Sequence, residues 1–206
     1  MPALPLQTDA FVLLKRPPSD TFQTLTIFSA EHGPLLVLQR LAKKKSAAAT
    51  APLDLFDEAS LQLESSNQGH TWFVKESRLV TRHAELGRSY DTLRLASALA
   101  ALVARNTVAE ESRAAVAALL RQAFASFASG ARPDFVWFKS LYRFARDEGH
   151  PLKEQWFPTL PAADRTAVAT LLNQPLAAQT AAPEIVARLT RRLEEYLRGH
   201  TEILVD

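Results

Sequence analysis

A chain of 206 residues, 47% hydrophobic and 22% charged, can bury one large core or two small ones, and its composition excludes a disordered polyelectrolyte. It contains no cysteine, which excludes disulfides, thiol nucleophiles and thiolate-bound zinc. With 24 Lys and Arg against 22 Asp and Glu the net charge is +2, so any footprint for a polyanion is local rather than global.

No apolar run approaches the roughly 18 residues that span a bilayer. The start, MPALPLQTDA, lacks the charged and apolar regions of a signal peptide, so a cytoplasmic address is expected. His32, His70, His83, His150 and His200 are too scattered for a metal cluster.

Up to about residue 88 the apolar residues come in short runs separated by turn signals. DAFVLLK (9–15), FQTLTIF (22–28), PLLVLQR (34–40), LDLFDEASLQLES (53–65) and HTWFVKESRLV (70–80) read as five strands. PPSD (17–20), EHGP (31–34), the lysine and alanine stretch (42–52) and SNQG (66–69) supply the breaks, with Gly33 available for positive φ. Five short strands in about 80 residues point to a small closed barrel, OB-like or SH3-like.

From residue 89 the apolar period changes to three and four. A helix is expected over 91–105, and Thr107 with Glu110 forms a capping box opening another through Phe127. A third runs from Pro133 to Gly149, a fourth covers 161–173, and a fifth starts at Pro183 and ends before Gly199. The expected fold is therefore α+β: an OB-like five-stranded β-barrel over 1–85 followed by an α-helical domain over 86–206.

Catalytic signatures are thin. His83 and Glu85 make an H-x-E triplet, but zinc deaminase chemistry also needs a P-C-x-x-C partner. No phosphate loop, H-E-x-x-H or G-x-S-x-G occurs. Glu110–Glu111 and Glu194–Glu195 are helical neighbours whose carboxylates diverge and read as solvated faces. No enzymatic activity, cofactor or small-molecule substrate is expected.

Binding features are richer. Residues 1–50 hold six basic residues against three acidic ones, and Arg40, Lys43, Lys44 and Lys45 fall together at a strand end. Such a row either tracks a phosphate backbone or blunts a sheet edge in solvent. Lys15 and Arg16 end the first strand, and Lys75, Arg78 and Arg82 punctuate the fifth, so the clusters could merge on one barrel face. Trp72 and Phe73 point to opposite sides of their strand, while Phe22 and Phe28 share a side with Thr24 and Thr26. Rings beside a basic groove can stack unpaired bases, although core packing competes for each of them. On the helix at 133–149, Lys139, Arg143 and Arg146 form a stripe beside Phe135, Phe138 and Tyr142, suited to an acidic peptide, a phosphate backbone or plain solvation.

The order of these motifs resembles the N-terminal region of the RecO family of bacterial recombination mediators. That family opens with a strand ending in basic residues, a serine–aspartate turn, a second strand closing in an EHG-type turn, and a third strand leading into a basic K-x-A-R-x-x-K-S-like segment. Here Ser19–Asp20, Glu31–His32–Gly33 and Arg40–Leu41–Ala42–Lys43–Lys44–Lys45–Ser46 occupy those places. The resemblance covers residues 9–65 and stays collinear through 91–105. Many members carry a four-cysteine zinc module in the helical half; this chain resembles the zinc-free ones.

The resemblance implies a nucleoid-associated, non-enzymatic DNA repair and recombination protein. It would bind single- and double-stranded DNA, anneal complementary strands, contact the acidic tail of single-stranded-DNA-binding protein and, with RecR, help load RecA. The alternative is an adaptor whose helical domain docks a partner peptide and which has little affinity for DNA.

Overall fold

The computed structural model describes residues 5–41, 52–66 and 71–205. Ala42–Ala51, with Lys43, Lys44, Lys45 and Ser46, and residues 67–70, which hold most of the SNQG stretch, lie outside the described residues. Among the described residues the architecture is α+β, five strands followed by six α-helices.

The strands are β1 (Leu6–Lys15), β2 (Phe22–Ser29), β3 (Gly33–Arg40), β4 (Glu58–Ser66) and β5 (Thr71–Thr81). Their order is β1-β2-β3-β5-β4, and β4 pairs back onto β1, so the sheet closes in a ring. Every pairing is antiparallel except β3 with β5, which run parallel and meet at Val37↔Trp72 and Leu38↔Phe73.

Local chemistry sets the turns. Ser19 Oγ accepts the Phe22 amide at 3.1 Å and donates to the Phe22 carbonyl at 3.0 Å, which fixes the entry to β2. Between β2 and β3, Ser29 Oγ accepts the Glu31 amide at 3.1 Å, and Gly33 turns the chain at φ +69°. A Cβ at Gly33 would stand 3.0 Å from Arg113 Nε, so the close approach of a helix excludes a side chain as firmly as the backbone angle does.

The fourth strand starts at Glu58, five residues later than the alternation at 53–57 suggests. The Asp54 amide donates to Asp57 Oδ2 at 2.7 Å, Phe56 takes φ +67°, and the segment docks on β1 through Phe56 N to Val12 O and Val12 N to Asp57 O, both 2.9 Å. Two aspartates competing for backbone donors turn what reads as a strand into a loop.

A 3-10 turn (Ala84–Arg88) connects β5 to the helices and spans the expected boundary at residues 85 and 86. The helices are α1 (Tyr90–Arg105), α2 (Arg113–Ala128), α3 (Pro133–Asp147), α4 (Leu152–Gln155), α5 (Ala162–Asn173) and α6 (Pro183–His200). Pro133 and Pro183 stand in the first turns of α3 and α6, and Gly149 follows α3 at φ +86°.

Two helix ends differ from expectation. No capping box forms at Thr107 and Glu110: a 3-10 turn occupies Glu110–Ser112, α2 begins at Arg113, and the Ser112 hydroxyl donates to the Asp147 carbonyl instead of capping. Helix α6 runs through Gly199 to His200, since Thr201 and not the glycine supplies the extended residue that ends it.

Two hydrophobic clusters result. Inside the ring lie Ala10, Val12, Leu25, Ile27, Val37, Ala59, Leu61 and Leu63. On its outer side Phe11, Leu13, Phe28 and Phe56 join Leu99, Leu120, Phe124 and the rest of the helical core, so one cluster runs from sheet to helices. Its polar lock is Arg121 on α2. This residue donates through Nε to both oxygens of the buried Glu58 carboxylate, at 3.0 and 3.2 Å, and through Nη2 to Oε1, while its guanidinium stands 5.4 Å from the Phe11 ring centre. Farther along, the buried Asp164 of α5 is held by Arg188 at 2.7 Å and Arg192 at 3.2 Å, both from α6.

Gly33→Ala is expected to destabilise by about 2 kcal/mol, from the strained φ and the forced shift of Arg113. Arg121→Ala, which strands the Glu58 carboxylate, is expected to cost about 2 kcal/mol. Urea denaturation of both variants measures these losses, and the Arg121 change should be smaller when combined with Glu58→Gln.

Candidate functional site

Strand alternation divides the ring's side chains. With Val12, Leu25, Ile27 and Val37 inside, Phe22, Thr24 and Thr26 of β2, Leu36, Leu38 and Arg40 of β3, and Phe73 and Lys75 of β5 stand on the outer side. The helices pack on this outer side where β1 and the end of β2 present Phe11, Leu13 and Phe28, and reach the first residues of β3 and β4 through Arg113 at Gly33 and Arg121 at Glu58. Around the ring, no described residue of the helical core covers β3 and β5.

That open face has an apolar centre. Register sets Phe22 opposite Arg40, Thr24 opposite Leu38, and Leu38 beside Phe73. The Phe22 and Phe73 rings meet at 5.6 Å with an interplanar angle of 50°. Phe22, Leu36, Leu38 and Phe73 are half-buried and belong to neither hydrophobic cluster.

The basic residues around it fall into three groups. Arg16, Arg40 and Arg78 are exposed and make no ion pair with a described carboxylate; Arg78 only approaches the Ser60 hydroxyl, at 3.4 Å. Lys75 pairs with Glu64, and Lys15 pairs with Asp54 at 3.0 Å, both toward solvent. The Lys75–Glu64 pair, about half exposed on both sides, is worth little and yields readily to a competing anion. Arg82 is different: its Nε and Nη2 grip the buried Asp57 carboxylate at 2.8 and 2.5 Å, and Nη2 also donates to the Pro52 carbonyl at 2.9 Å. The hydrogen bond to Asp57 raises the Arg82 pKa further. Burial pushes the Asp54 carboxyl up, but the Lys15 hydrogen bond, the Leu55 amide and the charges of Lys15 and Arg82 outweigh it and hold the group below its ordinary value. Lys15, Arg82, Asp54 and Asp57 thus form a brace where β1, β5 and the 52–57 loop converge, apart from the Phe22–Phe73 centre. Lys43, Lys44 and Lys45, which follow Arg40 in sequence, lie outside the described residues.

The second basic set lines a groove of about 1070 Å³ between α2, α3, α4 and α5. Lys139, Arg143 and Arg146 stand along it with Tyr142 and His150, over an apolar floor that includes Val136, Leu152 and Leu172. Tyr142 therefore sides with the basic stripe, while Phe135 and Phe138 are buried in the core. Lys139 Nζ donates to the Gln174 carbonyl at 2.5 Å, and burial lowers its pKa. Arg143 donates to Gln122 Oε1 at 2.8 Å, and Asp147 receives both Arg143 and Arg146.

Among the described residues no three His, Asp or Glu side chains gather as metal ligands. His83 packs its ring 6.4 Å from Phe124, and Glu85 pairs with Arg88 at 3.4 Å, so the H-x-E triplet is split between core and surface. Glu194 is not a solvated carboxylate. Burial raises its pKa, it accepts Trp137 Nε1 at 3.3 Å, and Arg198 lies 3.6 Å away. Among the described residues no helix is long and apolar enough to cross a membrane.

No family model matches this chain, and no curated protein matches it. The Phe22–Phe73 contact joins residues 51 positions apart, and no local periodicity signals it. The one trace in sequence is that both rings are off-phase with their strands' buried positions.

The division of the cations is testable by thermal unfolding. Arg82→Ala should lower stability by about 3 kcal/mol, because it leaves a buried carboxylate unpaired. Arg16→Ala and Arg40→Ala should each change it by less than about 0.5 kcal/mol.

Proposed function

We propose that this protein is a RecO-like DNA-binding mediator that takes up nucleic acid on the open face of its ring and performs no bond chemistry. The observation that carries the reading is the uncovered β2–β3–β5 face, with Arg16 and Arg40 free of described carboxylates and Lys75 held only by an exposed pair, while Arg78 lies farther along β5 on the flank toward β4. The strand order 1-2-3-5-4 and the parallel closure of β3 on β5 support an OB-like assignment, and that fold uses its β2–β3 face for oligonucleotides. Lys43, Lys44 and Lys45 continue directly from Arg40 and add to the same local charge. Arg82 and Lys15 brace this surface in the proposal and do not contact phosphate. Annealing of complementary strands, recombinase loading with RecR, and a nucleoid location follow from the family resemblance.

A second reading is favoured by the groove. Its stripe of Lys139, Arg143 and Arg146 above an apolar floor suits an acidic peptide with apolar residues, such as the tail of single-stranded-DNA-binding protein. An adaptor using only this groove would have little affinity for DNA.

Salt dependence separates the two. With about five phosphates contacted, single-strand affinity should fall with log[salt] at a slope near −3.5, on the order of a hundredfold between 50 and 200 mM. Reversing Arg40, Lys43, Lys44 and Lys45 to glutamate should weaken binding and flatten the slope. Unchanged binding would remove this face as the site, and tail-dependent capture without DNA affinity would favour the adaptor.

A further inference from the structure

We infer that Phe22, Leu38 and Phe73 form a platform on which unpaired bases stack, so that the open face selects single strands by their bases as well as their phosphates. The inference rests on the nucleic-acid reading above and adds to it a chemical class of contact that cations alone do not provide.

The apolar centre is unexplained by folding. Leu25, Ile27 and Val37 fill the ring and Phe11 and Phe28 fill the helical core, yet the four half-buried side chains of the open face join neither. Phe22 and Phe73 hold each other tilted at 5.6 Å, with Leu38 beside Phe73 on the intervening strand, so the rings are kept in place by one another and by the strands beneath. An aromatic pair fixed on a rigid sheet meets a flat apolar partner with little further loss of side-chain freedom.

Charge identifies the occupant. Arg40 is paired across the strands with Phe22, and Lys75 lies two residues beyond Phe73 on the same side of β5. Among the described residues the carboxylates nearest this face are Glu64, held by Lys75, Glu76, opposite Gln62 on the flank toward β4, and the exposed Asp20 in the turn before Phe22. A second copy of this chain would bring Arg40 and its neighbours against their own kind. A single strand instead sets phosphates on the cations and bare base faces on the rings, a contact that duplex bases, stacked on each other, cannot make.

The test compares a labelled oligothymidylate of about 20 nucleotides with an abasic strand of equal length, bound to the full chain and read by fluorescence anisotropy. The expected result is that thymidylate binds about tenfold tighter. Phe22→Leu and Phe73→Leu, which keep apolar volume and remove a ring, should each reduce that preference and leave abasic binding unchanged. Equal affinity of the wild-type protein for both strands overturns the platform while the phosphate-binding reading stands. A preference that survives both substitutions also overturns it. Failure of the wild-type protein to bind either strand overturns the platform and the nucleic-acid reading together.

Discussion

Phe124 on α2 is the point at which the two halves of the molecule meet. Its ring lies 5.1 Å from Phe56 and 6.3 Å from Phe11, with His83 at 6.4 Å, so the loop before β4, the first strand and the exit from β5 all close on one side chain. Less than one turn earlier on α2, Arg121 clamps the buried Glu58. Apolar contact fixes the distance between sheet and helices, and the bidentate ion pair fixes the orientation. Together they decide which arc of the ring is covered.

Everything proposed for the surface depends on that choice. The register shift in β1 between Val12 and Leu14 and the positive φ of Phe56 both serve the covered side, letting Phe11, Leu13 and Phe56 face the helices together. The opposite arc, β2–β3–β5, keeps a patch of rings and leucines that nothing in the described helices reaches. Where β3 meets β5, at Val37↔Trp72 and Leu38↔Phe73 among the described residues, the same parallel contact that closes the ring also places Phe73 beside Leu38 and within reach of Phe22.

Much of this was legible in the chain. Alternating residues at 9–15, 22–28 and 34–40 become β1, β2 and β3 because each has one side facing the ring's interior, and the three-and-four spacing at 91–105 becomes α1 because its apolar stripe meets the sheet. Local patterns misled where a tertiary contact outbid them. Leu53–Asp57 alternates like a strand, but Asp54 and Asp57 capture backbone donors and Phe56 is drawn toward Phe124. Thr107 and Glu110 have the spacing of a capping box, yet the Ser112 hydroxyl finds the Asp147 carbonyl and the Ala109 amide finds Glu148 Oε2 at 3.2 Å, both from the end of α3. Gly199 reads as a stop, but with the chain beyond it packed through Ile203 the helix continues one residue further.

The sequence by itself determined the change of period near residue 88, the number and type of the long elements, the absence of cysteine chemistry and the local excess of positive charge before residue 50. These are properties of neighbours in the chain, set by backbone geometry and solvation at distances of a few residues. Only the tertiary structure decided which cations are braces and which face solvent. Arg82 and Arg78 are four residues apart and look alike in sequence, but one meets a buried carboxylate contributed from residue 57 and the other meets only the hydroxyl of Ser60. It likewise decided that Phe28 is core and Phe22 is surface, although both occupy the same side of one strand, because the helices cover one end of β2 and leave the other bare. Burial depends on what the rest of the chain brings to a residue, and that information is not local.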